Sequence, residues 1–270
     1  MRYFGIQGPV LEVGSGHRPY PHSDVLVDKL IADDEREGSL RRDGRPIVVC
    51  DLEALPFGDR VFGYAIAAHV VEHVHDPTRA LGELERVARA GYIETPSALM
   101  ERIEPHRSYH RWSVALERGE LLFAPKPPAA CGFHQHLTNR LIQDNLSWKL
   151  FAHTNPRLFK TALEWRERIT YRIVQAPPHP DAYLPWVAQS PVGFVRALAR
   201  KAGGLALRHV VVRRRRTRRM DLAPLLRCPR CSGEVEVDVL RVRCPRCRGG
   251  YPRAGQLYFL SPERFEADPS

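Results

Sequence analysis

Val10-Leu11-Glu12-Val13-Gly14-Ser15-Gly16 is the stretch whose reading decides the fold. A short apolar run carrying a single acidic residue reads as a buried strand, and the glycines that close it read as a tight turn. Glycine has no Cβ, so the backbone there can come close to a bound group. A strand ending in such a turn is a place to hold a nucleotide-like cofactor. Outward from it the pattern recurs. Val25–Val27 ends at Asp28, Ile47–Val49 ends at Cys50-Asp51, Tyr64–Ala67 is a fourth run, and Tyr92–Ile93 with its flanks is a fifth. Parallel strands buried on both faces have this short, continuous apolar look. The two carboxylates stand where a nucleoside needs them: Asp28 can accept from both ribose hydroxyls, and Asp51 from an adenine amino group.

The connections are read from their punctuation. Only ten residues separate Gly14 from Val25, and Pro19 and Pro21 are among them. A parallel crossover normally takes about a dozen residues or more, so the first helix is expected to be one turn or absent. Between the fourth and fifth runs, Asp76 is an N-cap, Pro77 stands at the first helical position, and Leu81, Leu84 and Val87 form one apolar stripe. Arg89-Ala90-Gly91 reads as the stop of that helix. Trp112–Leu116 and Leu121–Ala124, with Glu117-Arg118-Gly119-Glu120 between them, read as an antiparallel hairpin at the edge of the sheet. Prolines then break up residues 126–190, and Ala162–Val174 reads equally as helix or strand.

The tail carries a second signal, Cys228-Pro-Arg-Cys231 followed after twelve residues by Cys244-Pro-Arg-Cys247. Each CxxC forms a knuckle that offers two thiolates, and two knuckles complete the tetrahedron of a structural zinc site. A module of about 40 residues buries too little surface to hold itself together, so the metal is expected to stabilise it. Of six cysteines only Cys50 and Cys131 are left over, which is metal-site usage rather than a disulfide framework. The full chain of 270 residues, 43% hydrophobic, allows one sizeable core plus such a satellite. No apolar leader follows Met1-Arg2-Tyr3-Phe4, and no run approaches the roughly 18 apolar residues of a membrane span. A cytoplasmic protein is expected. The formal net charge of +10 is concentrated in Arg213–Arg216, Arg218 and Arg219. That run reads as a solvated linker, as a contact to RNA phosphates, or, with Val192, Phe194, Val195 and Leu198 before it, as a peripheral contact to an anionic membrane surface.

Three segments together carry a resemblance: Leu11-Glu12-Val13-Gly14-Ser15-Gly16, Asp51-Leu52-Glu53-Ala54-Leu55-Pro56-Phe57, and Val70-Val71-Glu72-His73-Val74-His75-Asp76-Pro77. In this order and spacing they resemble the class I S-adenosylmethionine-dependent methyltransferases, in the branch written as the type 11 methyltransferase domain, over roughly residues 8–125. The resemblance implies an α/β, Rossmann-like sheet, mainly parallel with a C-terminal antiparallel hairpin, and S-adenosylmethionine as cofactor. It implies that Glu12 orients the glycine turn and the methionyl amino group, that Gly14, Ser15 and Gly16 approach the cofactor, that Asp28 binds ribose, and that Asp51 with Leu52 holds the adenine. It places His69 near the transferable methyl. Where the family usually shows a third glycine, this chain has His17-Arg18-Pro19. The tail, over about residues 223–262, resembles the small zinc-ribbon protein that activates several tRNA, ribosomal RNA and release-factor methyltransferases. In that family the ribbon is usually a separate subunit adding a strand to the enzyme's sheet, so here the activator would be fused to its enzyme.

The expected organisation is a methyltransferase domain over 1–190, with a core at 8–125 and a substrate-side extension at 126–190, a basic linker over 191–222, and the ribbon over 223–262. Methyl transfer from a sulfonium is an in-line displacement, for which the protein chiefly supplies alignment and a dry pocket. A base is needed only when the acceptor must lose a proton, and histidine suits that task. His69, His106 and His110 are the catalytic candidates, the latter two because they follow the fifth strand, beyond the carboxyl end of the sheet. His73 is expected to pack or cap. His134, His136 and His153 have no defensible metal spacing. The acceptor is expected to be a small molecule, a glycan or a lipid-linked intermediate. An RNA methyltransferase that uses the ribbon and the arginines is the enzymatic rival, and a non-catalytic cofactor-binding scaffold is the other. Oligomeric state is not legible.

Overall fold

The computed structural model describes residues 7–29, 39–103, 109–126, 145–176 and 220–267. The apolar runs are strands: β1 Val10–Val13, β2 Val25–Asp28, β3 Ile47–Val49, β4 Tyr64–Ala68 and β5 Ala90–Pro96. They lie in the order β3-β2-β1-β4-β5, all parallel, with β1 at the switch point. Every residue of β1 and β2 is buried, which is why neither alternates polar with apolar.

The short crossover from β1 to β2 contains turns and no helix. Buried side chains fix it instead. Glu12 Oε2 accepts from Tyr20 N at 2.8 Å and from Ser23 Oγ at 2.5 Å, and Arg45 Nη1 donates to the carbonyls of Tyr20 (2.7 Å) and Ser23 (3.0 Å). Between β4 and β5, α1 runs Pro77–Val87, where Asp76 caps Thr78 N and Arg79 N and Ala80, Leu81, Leu84 and Val87 face the core. The helix stops at Val87, short of Gly91. Gly91 belongs to β5, and a Cβ there would stand 2.7 Å from the Trp165 ring. Its glycine allows close approach of a neighbouring strand rather than ending the helix.

That neighbour is β8, Lys160–Arg166, which pairs antiparallel with the whole of β5 and closes this side of the main sheet. The hairpin of β6 (Trp112–Glu117) and β7 (Glu120–Pro125) forms as expected, turning at Arg118 and Gly119, both with positive φ. Its place differs from the expectation. It pairs with β9, Tyr171–Ile173, in a separate three-stranded sheet. The edge expected for the hairpin is occupied by β8, from the segment expected to be a substrate-side extension. Ala162–Val174 thus carries strands, with two short helices, Leu146–Thr154 and Pro156–Phe159, before it. α2, Ala98–Ile103, leads out of β5.

The tail completes the opposite edge. β10 (Glu236–Val237), β11 (Arg241–Cys244), β12 (Gly249–Ala254) and β13 (Leu257–Phe259) follow as an antiparallel meander, and β14 (Glu266–Ala267) returns to pair with β12. β13 pairs in parallel with β3, in register Leu257↔Ile47, Tyr258↔Val48 and Phe259↔Val49, so one sheet runs through both parts. The folded tail extends beyond the expected 223–262 at both ends. Leu222 and Leu226 are fully buried, Arg227 N donates to Pro56 O at 2.9 Å, and Glu266 pairs with Gly250. The arginine run lies outside the described residues, as do Cys131, His106, His134 and His136.

Candidate functional site

The carboxyl ends of β1, β2, β3, β4 and β5 open into one cavity of about 910 Å³, within the range of cofactor and small-molecule sites. All eight residues expected to hold the cofactor line it: Glu12, Gly14, Ser15, Gly16, Asp28, Asp51, Leu52 and His69. Gly14 has φ +71° and Gly16 φ +50°. Gly14 N and Ser15 N both donate to Val27 O, at 2.9 and 3.2 Å, and Gly16 N donates to Asp28 Oδ2 at 3.0 Å, so the turn is folded back onto the end of β2. A Cβ on Gly14 would lie 2.9 Å from Val70 Cβ. Ser15 Oγ and His17 Nε2 are buried without a hydrogen-bond partner among the described residues, which leaves two polar atoms for a bound group at this end.

At the other end, Asp51 Oδ1 caps the 3-10 turn Leu52–Ala54 through Glu53 N, and Asp51 Oδ2 meets Lys29 Nζ at 2.7 Å. Burial opposes ionisation of Asp51, but the Glu53 N–H and Lys29 hold its carboxyl below its usual range. Glu12 moves the opposite way: burial pushes it up to about 7, against the bonds from Ser23 and Tyr20. Two carboxylates at strand ends, Asp28 and Asp51 beside Leu52, and a close-approach turn therefore share one cavity with orphaned polar atoms. That set fits S-adenosylmethionine.

The far wall is a histidine cluster. His69 follows the end of β4 with φ +56°, a conformation uncommon outside glycine, and its N–H donates to Glu94 O at 2.7 Å. Its ring stands between two carboxylates, Nδ1 3.6 Å from Glu72 Oε1 and Nε2 3.2 Å from Glu94 Oε1. Burial alone would lower its pKa, but these carboxylates raise it to about 9. Glu94 also receives Lys160 Nζ at 2.5 Å; against the effect of burial, these partners bring it to about 2. The loop after α2 is latched onto the turn after β4: Arg111 N and Trp112 N donate to Glu72 O at 2.8 and 3.1 Å, and Trp112 Nε1 donates to Val74 O at 2.9 Å. This latch brings His110 into the same wall as His69 and His73, with the Tyr109 ring stacked on His73 at 5.4 Å. His73, expected only to pack or cap, is part of the wall. Glu72 stands in the third motif segment, where the sequence assigns it no role, and Glu94 and Lys160 stand in no motif at all. Their signal, an acidic residue near the end of one strand and a basic residue beginning another, is invisible until β5 and β8 pair.

The four cysteines of the tail cluster with Cys228 Sγ 3.9 Å from Cys247 Sγ and Cys231 Sγ 3.6 Å from Cys244 Sγ. Zinc–sulfur bonds of about 2.3 Å arranged tetrahedrally give sulfur–sulfur edges of about 3.8 Å. The donor set and its spacing fit one metal ion.

Residues 27–93 match the family model described as "Methyltransferase domain". The match runs from the end of β2 through β5 and includes Asp28, Asp51, His69 and Glu72. Over these residues the chain is similar to that family, and its mainly parallel sheet is of the Rossmann-like methyltransferase kind. The chain is also similar to solved structures, at low identity. One is a Thermotoga maritima protein described as an S-adenosylmethionine-dependent methyltransferase, a possible histamine N-methyltransferase: 22% identical, covering 38% of this chain and 54% of that one, with a TM-score of 0.31. Another is a complex of the Haloferax volcanii Trm112 methyltransferase activator with a proposed methyltransferase: 13% identical, covering 51% and 80%, with a TM-score of 0.30. A third, described as a proposed type II methyltransferase of Anaeromyxobacter dehalogenans, is 16% identical over 77% and 81%, with a TM-score of 0.27. The alignments span about half the length of the first two structures matched, 54% and 45%. No curated protein matches the chain in sequence. Among the described residues no helix is long and apolar enough to cross a membrane.

Proposed function

We propose that this chain transfers a methyl group from S-adenosylmethionine to a small-molecule, glycan or lipid-linked acceptor. The observation that carries the proposal is the single cavity in which the glycine turn, Asp28 and Asp51 occupy one end while His69, Glu94, Tyr109, His110 and Lys160 occupy the other. When bound, the cofactor supplies an electrophilic methyl on a sulfonium and leaves as a neutral thioether. The chain's own work is alignment. The Gly14–Gly16 turn and Ser15 position the methionine end, Asp28 and Asp51 orient the nucleoside, and the latched 109–112 segment walls the cavity where an acceptor would stand. Effective concentration and exclusion of water then carry the rate, with no covalent step on the protein.

The tail, in this reading, is a structural zinc ribbon held by Cys228, Cys231, Cys244 and Cys247 and serving as a built-in edge for the catalytic sheet. The parallel pairing of β13 with β3 supports it, because β3 leads directly into Cys50 and Asp51. The ribbon and the arginine run also favour a second reading, an RNA acceptor.

Calorimetric titration of the zinc-loaded chain with S-adenosylmethionine and with its demethylated product tests the first reading. Micromolar binding is expected, followed by labelled-methyl transfer in a small-molecule screen. Absence of binding to both ligands would refute the proposal in favour of a scaffold. Labelling of RNA alone, with RNA retained at low salt and released at high salt, would transfer the activity to the second reading.

A further inference from the structure

Glu72 is the least comfortable group in the molecule. Its residue is 1% exposed, and both carboxylate oxygens are buried without a hydrogen-bond partner among the described residues. Its nearest cationic candidates are imidazoles beyond hydrogen-bonding distance, His69 Nδ1 at 3.6 Å and His73 Nε2 at 3.9 Å. A buried carboxylate without partners normally takes up a proton or coordinates a cation. Here the surroundings are those of a metal site. Glu72, His73 and His110 each offer a ligand atom, and all three lie within 4.8 Å of one another.

The supporting groups are also in place. His110 is buried, and its Nδ1 lies 2.6 Å from Glu101 Oε1. Because a carboxylate only accepts, Nδ1 carries the hydrogen, and in the neutral tautomer Nε2 is the atom left to bind a cation. A carboxylate behind the histidine is the usual way to fix a metal-ligating ring. Lys126 holds Glu101 in turn. The Tyr109 ring fixes the plane of His73 by stacking, and the two backbone bonds from Arg111 and Trp112 to Glu72 O lock the ligand-bearing segments together.

We propose that Glu72, His73 and His110 bind a divalent first-row transition cation at the histidine end of the cofactor cavity. Two imidazoles and a carboxylate form a nitrogen–oxygen donor set of the kind that leaves coordination positions open. All three residues line the cavity, so an open position faces the space where an acceptor would stand. On the methyl-transfer reading above, an acceptor bearing a hydroxyl group fits that position. The cation site itself stands on Glu72 and its neighbours alone.

The test uses the full chain with zinc limited to one ion per chain, which the four thiolates of the ribbon take first, and manganese(II) as the probe, since thiolates are poor ligands for manganese and the ribbon does not compete. Titration followed by electron paramagnetic resonance is expected to count one manganese ion per chain. Glu72→Gln should abolish this binding, and Glu101→Gln should weaken it by about 10- to 100-fold, as loss of a group behind a ligand does. Should Glu72→Gln fail to fold, the partly exposed His73→Ala serves in its place. No manganese binding by the parent chain, or unchanged binding in folded Glu72→Gln or His73→Ala, overturns the site. Titrating the same samples with S-adenosylmethionine separates the two claims: cofactor binding without manganese refutes the cation alone, and manganese without cofactor refutes the methyl-transfer reading alone.

Discussion

Alanine at Gly14 and alanine at Gly16 ask two different questions of the same turn. Both glycines have positive φ, +71° and +50°, and placing an L-residue in that region costs roughly 1–2 kcal/mol. Gly14 carries a second burden. Its new Cβ would lie 2.9 Å from Val70 Cβ and 3.1 Å from Val70 Cγ2, whereas at Gly16 the nearest atom is Gly14 O at 3.9 Å. Apolar carbons settle near 3.5–4.0 Å, so Val70 or the turn must yield by several tenths of an ångström, and forcing a methyl into packed surroundings costs about 1–3 kcal/mol. Gly16→Ala should therefore lose about 1–2 kcal/mol and Gly14→Ala about 2–5 kcal/mol. At about 2–4 °C per kcal/mol for a domain of this size, that is a fall in Tm of about 2–8 °C for Gly16→Ala and about 4–20 °C for Gly14→Ala. Val70 directly follows His69, so the shift at Gly14 also disturbs the histidine wall, and cofactor affinity should fall more for Gly14→Ala. Thermal unfolding by circular dichroism, with calorimetric titration of S-adenosylmethionine, measures both. Equal Tm losses for the two variants would show that the Val70 contact has no energetic weight and would refute the packing argument.

Other outcomes follow from the same geometry. Glu12 titrates near 7 in the folded chain against an ordinary value of 4.5. Its favourable contribution is therefore complete below about pH 4.5 and is lost as pH rises through about 7, a difference of about 3 kcal/mol; urea unfolding at pH 5 and pH 8 should show this loss, and Glu12→Gln should abolish it. An identical pH slope in the variant would mean that Glu12 is not the group responsible. Asp51→Ala should weaken S-adenosylmethionine binding by about tenfold or more, the worth of a charged hydrogen bond, without unfolding the protein, and unchanged affinity would displace the adenine site. Cys244→Ser should release zinc and speed hydrogen exchange at the Ile47 amide, which donates to Gln256 O at 2.8 Å; full metal retention would contradict the four-cysteine site.

The parts of this fold legible in the sequence are those that local chemistry dictates. Buried strands such as Val25–Asp28 declare themselves by being apolar on both faces, and α1 by Asp76, Pro77 and the Leu81–Leu84–Val87 stripe. The absent first helix was legible as well, because ten residues with two prolines leave no room for it. The misplaced hairpin has the opposite cause. Nothing in Trp112–Ala124 states which sheet it joins, since that depends on β8 taking the edge of β5, and β8 is a short alternating run inside a proline-broken stretch. Gly91 looked like a helix stop because its real partner, Trp165, is distant in sequence. In the site, the strand-end residues Gly14, Asp28 and Asp51 were readable because topology places strand ends together. Glu94, Lys160, Glu101 and the role of Glu72 were not, because each acquires its meaning from a partner on another element.

The pairing of β13 with β3 has a consequence for how the chain is made. Synthesis runs from the amino end, and β3 is complete about two hundred residues before its outer neighbour Leu257–Phe259 emerges. Throughout that interval the nascent sheet has an open edge at Ile47–Val49, the kind of unpaired, apolar edge that recruits other chains. Closing it requires a contact of very high sequence separation, which is slow to form. On the proposed reading of the tail as a zinc ribbon, its docking is a late step of assembly, and the supply of zinc during synthesis should set how long that edge remains exposed and how much of the product aggregates.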